Sequence, residues 1–186
     1  IEEILSLAQE KKGDPHKKLV VVGCLVQRYR EKIESELTEV DLFVGTEGVP
    51  RIPGILDALI GNEQQGRLTI PGTFLMDASF PRRLSTPFFR AWLKITEGCD
   101  NRCSYCMITS IRGRLRSRTE EDLIIEAANL QAAGVRELSL VAQDLTAYGR
   151  DIHKEPRLES LVRRLLDETT IDWIRLMYLY PSTLGS

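Results

Sequence analysis

Several common ingredients are scarce or missing in this chain. Of 186 residues only four are cysteine and two histidine, and His16 and His153 stand far along the chain from the three cysteines that lie close together. A tetrahedral zinc site built from two cysteine pairs, or from cysteines with nearby histidines, therefore lacks its usual parts. No apolar stretch approaches the length needed to cross a bilayer, and nothing at the N-terminus reads as a secretory signal, so a reducing, cytoplasmic setting is expected and disulfides are not. Neither charge sign is in surplus: 25 basic residues face 27 acidic ones, for a net charge of −2. That excludes a broad nucleic-acid-coating surface while leaving room for a local basic site. No internal repeat or low-complexity tract is present, and a hydrophobic content of 42% suits a globular fold.

What is there is concentrated. Three of the four cysteines fall within eight residues, in the run Glu97-Gly-Cys-Asp-Asn-Arg-Cys-Ser-Tyr-Cys-Met107, giving C-x-x-x-C-x-x-C through Cys99, Cys103 and Cys106. Three thiolates so spaced can hold three corners of an iron–sulfur cube and leave one iron open to a small molecule. Zinc is the duller alternative, and it wants a fourth ligand that the neighbourhood does not offer. Ala91-Trp-Leu-Lys-Ile-Thr96 reads as a strand ending just before the run. Beyond it, Thr119-Glu-Glu-Asp-Leu-Ile-Ile-Glu-Ala-Ala-Asn-Leu reads as an amphipathic helix, capped by Ser117 or Thr119 with acids in its first turn. The order is strand, cysteine loop, helix, and in parallel α/β barrels that strand edge carries the site. Arg112, Arg114, Arg116 and Arg118 follow the loop, with Arg102 inside it. They are either a solvated charged loop or donors for a carboxylate.

Elsewhere the pattern alternates. Residues 1–12 are helical in pattern and end at Gly13-Asp14-Pro15. Lys18-Leu-Val-Val-Val-Gly23 is a buried parallel strand, Val26 to Leu37 a helix, Asp41-Leu-Phe-Val-Gly45 a strand, and Gly54 to Ile60 a helix after Pro50 and Pro53. This is half of an open α/β layer. Residues 61–90, with Pro71, Gly72, Pro81 and Pro87, lose periodicity. The expected organisation is a first domain over 1–62, a linker over 63–90 and a second domain over 91–186. In the second, Val135 to Ala142 is the second strand, Leu158 to Glu168 a helix and Trp173 to Tyr180 the third strand. Three βα units cannot close a barrel because the edge strands need partners. The chain begins in mid-helix without a methionine and stops after a strand, which reads as a fragment.

The stretch Leu93-Lys-Ile-Thr-Glu-Gly-Cys-Asp-Asn-Arg-Cys-Ser-Tyr-Cys-Met-Ile, followed by Arg-Gly-Arg-Leu-Arg-Ser-Arg, resembles the radical S-adenosylmethionine (SAM) methylthiotransferases, and Val21-Val-Gly-Cys-Leu-Val-Gln27 resembles the end of that family's N-terminal domain. The resemblance implies an α/β fold: the C-terminal part of an open α/β methylthiotransferase domain, then the first half of a partial, TIM-like radical SAM barrel. It implies a 4Fe-4S cluster on Cys99, Cys103 and Cys106 that binds SAM, and Cys24 as the last of three ligands of an auxiliary 4Fe-4S cluster. The other two would lie upstream, so this stretch alone is not expected to insert sulfur. On its own, Cys24 reads as a small buried hydrophobe. The chemistry implied is reductive cleavage of SAM to a 5′-deoxyadenosyl radical, hydrogen abstraction from carbon, sulfur insertion and methylation by a second SAM.

The resemblance also suggests roles beyond the ligands, none of them catalytic in itself. Tyr105 would lie near the adenine, with a core position as its alternative, and Gln143 and Arg118 would contact SAM. Asp144 and Tyr148 would face substrate at the barrel's top edge, although Asp144 also reads as a simple cap that ends its strand. The form Gln143-Asp-x-x-x-Tyr-Gly149, and Trp173 to Pro181, resemble the branch that modifies an aspartate of small-subunit ribosomal protein number twelve. The branch that modifies an adenosine of tRNA typically has asparagine where Asp144 stands. Expected partners are that ribosomal protein or the ribosome and an electron donor such as flavodoxin or ferredoxin, with no membrane, and with tRNA only under the alternative.

Overall fold

The computed structural model describes residues 1–14, 16–63, 66–70 and 72–180. Pro15, Pro71 and Pro181, read above as turn or strand-end signals, lie outside the described residues. The chain forms two compact units, Ile1–Phe74 and a second from Leu75 onward.

The first unit carries helix α1 (Glu2–Lys12), strand β1 (Val20–Val22), helices α2 (Cys24–Tyr29) and α3 (Glu31–Glu36), strand β2 (Leu42–Val44), helix α4 (Ile52–Ile60) and strand β3 (Leu68–Thr69). Its three strands pair in parallel in the order β1-β2-β3. All three residues of β2 are fully buried, because apolar groups cover both faces of a parallel sheet's central strand. Phe43 faces a cluster with Ala8, Val26, Ile33 and Val40, while Leu42 and Val44 face Leu59 of α4. Asp41 ties α1 to the sheet: one of its oxygens accepts the Leu19 N–H at 2.6 Å and pairs with the Lys11 ammonium at 2.6 Å. Burial pushes its carboxyl up, but the Lys11 and Leu19 hydrogen bonds outweigh that and hold it below its ordinary value.

Two details differ from the sequence-based expectation here. The helix expected over Val26 to Leu37 is two short helices, broken at Arg30, whose φ of 43° no right-handed helix can continue. And β3, only two residues long, was invisible to periodicity because pairing with Phe43 and Val44, not local pattern, makes it a strand.

The second unit contains strands β4 (Arg90–Lys94) and β5 (Thr96–Glu97), helix α5 (Ile108–Arg112), strand β6 (Arg116–Ser117), helix α6 (Glu120–Ala132), strand β7 (Glu137–Val141), helices α7 (Arg150–His153) and α8 (Leu158–Glu168), and strand β8 (Trp173–Leu176). The sheet is parallel in the order β4-β7-β8, with α6 and α8 as its two crossovers. It therefore has the β/α repeat of an opening barrel. Leu93, Leu138 and Leu140 from the strands, Leu123 and Ala127 from α6, and Leu161 and Leu165 from α8 are fully buried in one core. Thr119 caps α6, its hydroxyl accepting the Asp122 N–H, as its sequence position suggested.

The segment before β4 is fastened to this unit rather than free. Asp122 accepts the Ala78 N–H at 2.7 Å, Arg82 pairs with Glu126 at 2.5 Å, and Leu84 joins the core. At the other end, the strand expected to run to Tyr180 stops at Leu176. Tyr178 takes a φ of 63°, which turns the chain, and its carbonyl accepts the Leu145 N–H at 3.2 Å.

Leu140 sits on the central strand beside Leu93 and Leu176 and has no exposed surface. Truncation to Ala should cost about 2–5 kcal/mol, read as a lower urea midpoint with an unchanged slope; a midpoint equal to the parent's would show that this core is not what holds the second unit.

Candidate metal centre

The loop that carries the three cysteines leaves the carboxyl end of β4 and is pinned at its base. Thr96 and Glu97 of β5 pair antiparallel with Ser117 and Arg116 of β6, so the chain from 98 to 115 bulges out as a closed loop. Glu97 lies buried beneath it, 7% exposed, with Arg112 at 2.9 Å and Lys94 in direct contact. Burial raises its carboxyl, but those two cations more than offset this and keep it below the ordinary glutamate range. Gly98 follows with a φ of 73°, and a Cβ there would stand 2.1 Å from the Arg114 carbonyl oxygen. Only glycine fits.

Beyond that glycine, hydrogen bonds set the loop's course. The Cys99 N–H donates to the Gly113 carbonyl at 3.2 Å, and the Thr109 hydroxyl donates to the Cys99 carbonyl at 2.9 Å. Asp100 accepts the Leu115 N–H at 3.0 Å and pairs with the exposed Arg114 at 3.2 Å. Arg114 and the Leu115 N–H hold Asp100 ionised below the usual range. The Cys106 N–H closes a turn onto the Cys103 carbonyl at 3.0 Å. Two backbone N–H groups point at sulfur, Asn101 to Cys99 at 3.4 Å and Ile108 to Cys106 at 3.5 Å.

Among the described residues none of the four cysteines forms a disulfide. Burial pushes the Cys99 thiol up; the Asn101 N–H opposes this, while Asp144, Cys106 and Cys103 push the same way, so the three sulfurs sense one another electrostatically. Thiols gathered beside a carboxylate favour a positive guest. Among the described residues, no group of three or more His, Cys, Asp or Glu side chains closes on a point as the ligands of a single metal ion would. Three thiols on one loop are the donor type that an iron–sulfur cluster takes, whereas a closed zinc site takes four ligands. Cys103, Cys106, Asn101 and Arg102 line an open cleft of about 490 Å³ beside the loop.

The remaining expected residues divide. Tyr105 is 87% exposed on the loop, and Gln143 is exposed just past β7. Neither is in the core. Arg118, expected to meet SAM, is instead 2% exposed and turned inward to Asp122 and Glu126, both at 2.6 Å, because α6 presents these acids one turn apart beneath it. Tyr148, expected to face substrate, is 2% exposed and donates its hydroxyl to the Arg118 carbonyl at 2.9 Å. Burial, with the charges of Glu120 and Glu121, pushes that phenol's pKa well up, as befits a neutral strut. Asp144 caps the short helical turn Leu145–Ala147 through Thr146 and also accepts the Asn101 side-chain N–H at 2.8 Å. Cys24 begins α2 at the carboxyl edge of the first sheet and is exposed, not the buried hydrophobe that a lone strand-end cysteine suggests.

Three residues of the site escaped the sequence reading. Glu97 was legible only as the residue before the loop; its burial between Lys94 and Arg112 is tertiary. Asn101 carries no local signal of a role, because its partner Asp144 lies 43 residues further on. Tyr180, within the stretch Trp173 to Pro181, lies by Cys103, whose charge and side-chain hydrogen bond push its phenol pKa up.

Residues 93–185 match the family model of the radical SAM superfamily, and residues 1–45 match that of uncharacterized protein family UPF0004. The chain belongs to the radical SAM superfamily. It is 58% identical over 184 residues to the ribosomal protein uS12 methylthiotransferase RimO of Desulfotalea psychrophila, covering 99% of this chain and 42% of that protein. It is 50% identical over 187 residues to the RimO of Syntrophus aciditrophicus, covering 99% and 41%, and 46% identical over 182 residues to that of Myxococcus xanthus, covering 97% and 37%. The chain thus spans about two fifths of the length of these curated relatives. Among the described residues no helix is long and apolar enough to cross a membrane.

Glu97 makes stability depend on acid in a definite direction. Its folded-state pKa is depressed, so the stabilisation is complete above the unfolded carboxylate value near 4.3 and is lost as pH falls through the lower folded value. Urea midpoints followed from pH 6 to pH 3 should drop less steeply for E97Q than for the parent; parallel curves would remove Glu97 from the loop's foundation.

Proposed function

We propose that this chain is the catalytic part of a radical SAM methylthiotransferase that adds a methylthio group to the β-carbon of an aspartate in small-subunit ribosomal protein uS12. The observation that carries the reading is the three-thiol loop at the carboxyl edge of a parallel β/α sheet, in a chain that is alike over its whole length to proteins named for that activity. Cys99, Cys103 and Cys106 would hold a 4Fe-4S cluster, and Cys24 would be one ligand of a second. When bound, the first cluster supplies the electron that breaks SAM's sulfonium bond, a reaction no side chain performs.

The chain's own residues prepare the place. The β5–β6 pair and Gly98 fix the loop's exit, so that the three thiolates are presented together without a folding cost at binding. Asn101 and Ile108 direct N–H groups at two of the sulfurs, hydrogen bonds that a ligating thiolate accepts. Tyr180 brings a phenol to the third. Tyr105, on the cysteine loop, and Gln143, just past β7, are exposed and are the groups available to a nucleoside. The substrate is a carboxylate-bearing protein, and the exposed Arg102, Arg114 and Arg150 around the loop supply complementary charge. An electron donor of the flavodoxin or ferredoxin type completes the system.

Ala substitution of Cys99, Cys103 or Cys106 should each abolish the visible iron–sulfur band after anaerobic reconstitution and stop SAM cleavage, whereas C24A should leave cleavage intact and stop sulfur transfer. Incubating the complete gene product with ribosomal protein or with tRNA, then weighing the products, separates the substrates. A methylthio mass on tRNA alone would transfer the activity to the tRNA branch.

A further inference from the structure

Asn101 does two things at once. Its backbone N–H donates to the Cys99 sulfur at 3.4 Å, and its side-chain amide donates to an oxygen of Asp144 at 2.8 Å. Asp144 is 6% exposed and comes from a different part of the unit, the turn after β7. Its other oxygen accepts the Thr146 N–H at 3.0 Å and the Thr146 hydroxyl, so the carboxylate is held from behind by its own turn. That turn is fixed in its place by the Leu145 N–H on the Tyr178 carbonyl. Both oxygens of Asp144 are engaged within the protein.

We propose that Asp144 is a positioning residue for the cysteine loop: by clasping the Asn101 side chain it aims the Asn101 N–H at the Cys99 sulfur, and so sets the reduction potential of the cluster that this sulfur ligates. The inference rests on the cluster reading above. Asn101 itself is exposed, and while Asp100 on one side of its peptide is held by the Leu115 N–H, the bond to Asp144 is what ties Asn101 to the turn after β7. An N–H directed at a ligand sulfur stabilises the reduced, more negative cluster, and its misalignment favours the oxidised one. Asparagine is suited to the post because an amide donates to the carboxylate without placing a second negative charge beside thiolates.

The test is a double-mutant cycle in the reconstituted complete gene product, read by spectroscopic redox titration of the cluster rather than by turnover. N101A changes no charge and should lower the reduced-to-oxidised ratio at a fixed potential about threefold, the scale of one hydrogen bond. In a D144A background the clasp is already open, so N101A should have no further effect. An unchanged ratio for N101A, or an equal fall in both backgrounds, would overturn the clasp. Should D144A fail to hold a cluster, D144N replaces it: its amide still meets Asn101 once that side chain turns over, so N101A must again produce the threefold fall, and its absence would overturn the clasp. A parent protein with no iron–sulfur signal defeats the cluster reading instead, which is a separate result.

Discussion

A buried carboxylate between two cations underlies the whole site. Glu97 sits at the last residue before the cysteine loop, with Lys94 from β4 on one side and Arg112 from the far end of the loop on the other. Removing one partner would leave a charge in a nearly dry place, a far larger cost than an exposed ion pair could recover. The ends of the loop are therefore drawn together by charge, and the short β5–β6 pairing then fixes their register. Gly98 completes the base, since the Arg114 carbonyl occupies the space any side chain would need. The thiols above inherit their mutual placement from this clamp.

The arginines after the loop show how residues of one type diverge in role. Spaced two apart, Arg112, Arg114, Arg116 and Arg118 read alike, either as a solvated charged loop or as donors for a carboxylate. In the fold, Arg112 turns in to Glu97, Arg114 stays outside on Asp100, and Arg118 is sealed against Asp122 and Glu126. An arginine so enclosed braces α6 against β4, where its guanidinium also donates to the Lys94 carbonyl at 3.0 Å. Buried ion pairs of this kind fix one arrangement among several that hydrophobic packing would allow. Arg82 adds a second cation to Glu126 and so fastens the segment before β4 to the same helix.

The site is assembled from three places in the chain. The cysteine loop supplies the sulfurs, the turn after β7 supplies Asp144, and the segment after β8 supplies Tyr180. Parallel β/α units make this meeting inevitable, because successive strands end at the same edge of the sheet. Shortening of β8 at Leu176 serves it too. The turn at Tyr178 gives a carbonyl to Leu145 and leaves Tyr180 within reach of Cys103.

Local chemistry was enough to read the strand–loop–helix order, the Thr119 cap, the β/α alternation and the three candidate ligands, since spacing, capping and periodicity each act over a few residues. Nothing local could show that β3 is a strand, that Arg118 and Tyr148 point inward, or that Asn101 and Tyr180 reach the thiols. The β3 pairing and the approach of Tyr180 to Cys103 depend on partners 25 and 77 residues apart along the chain, and even the short-range contacts of Arg118 and Asn101 are selected by what packs around them. The sequence by itself determined which atoms are available for the chemistry; the tertiary structure decided which of them face the cleft, because burial and hydrogen bonding are settled by neighbours distant in the chain.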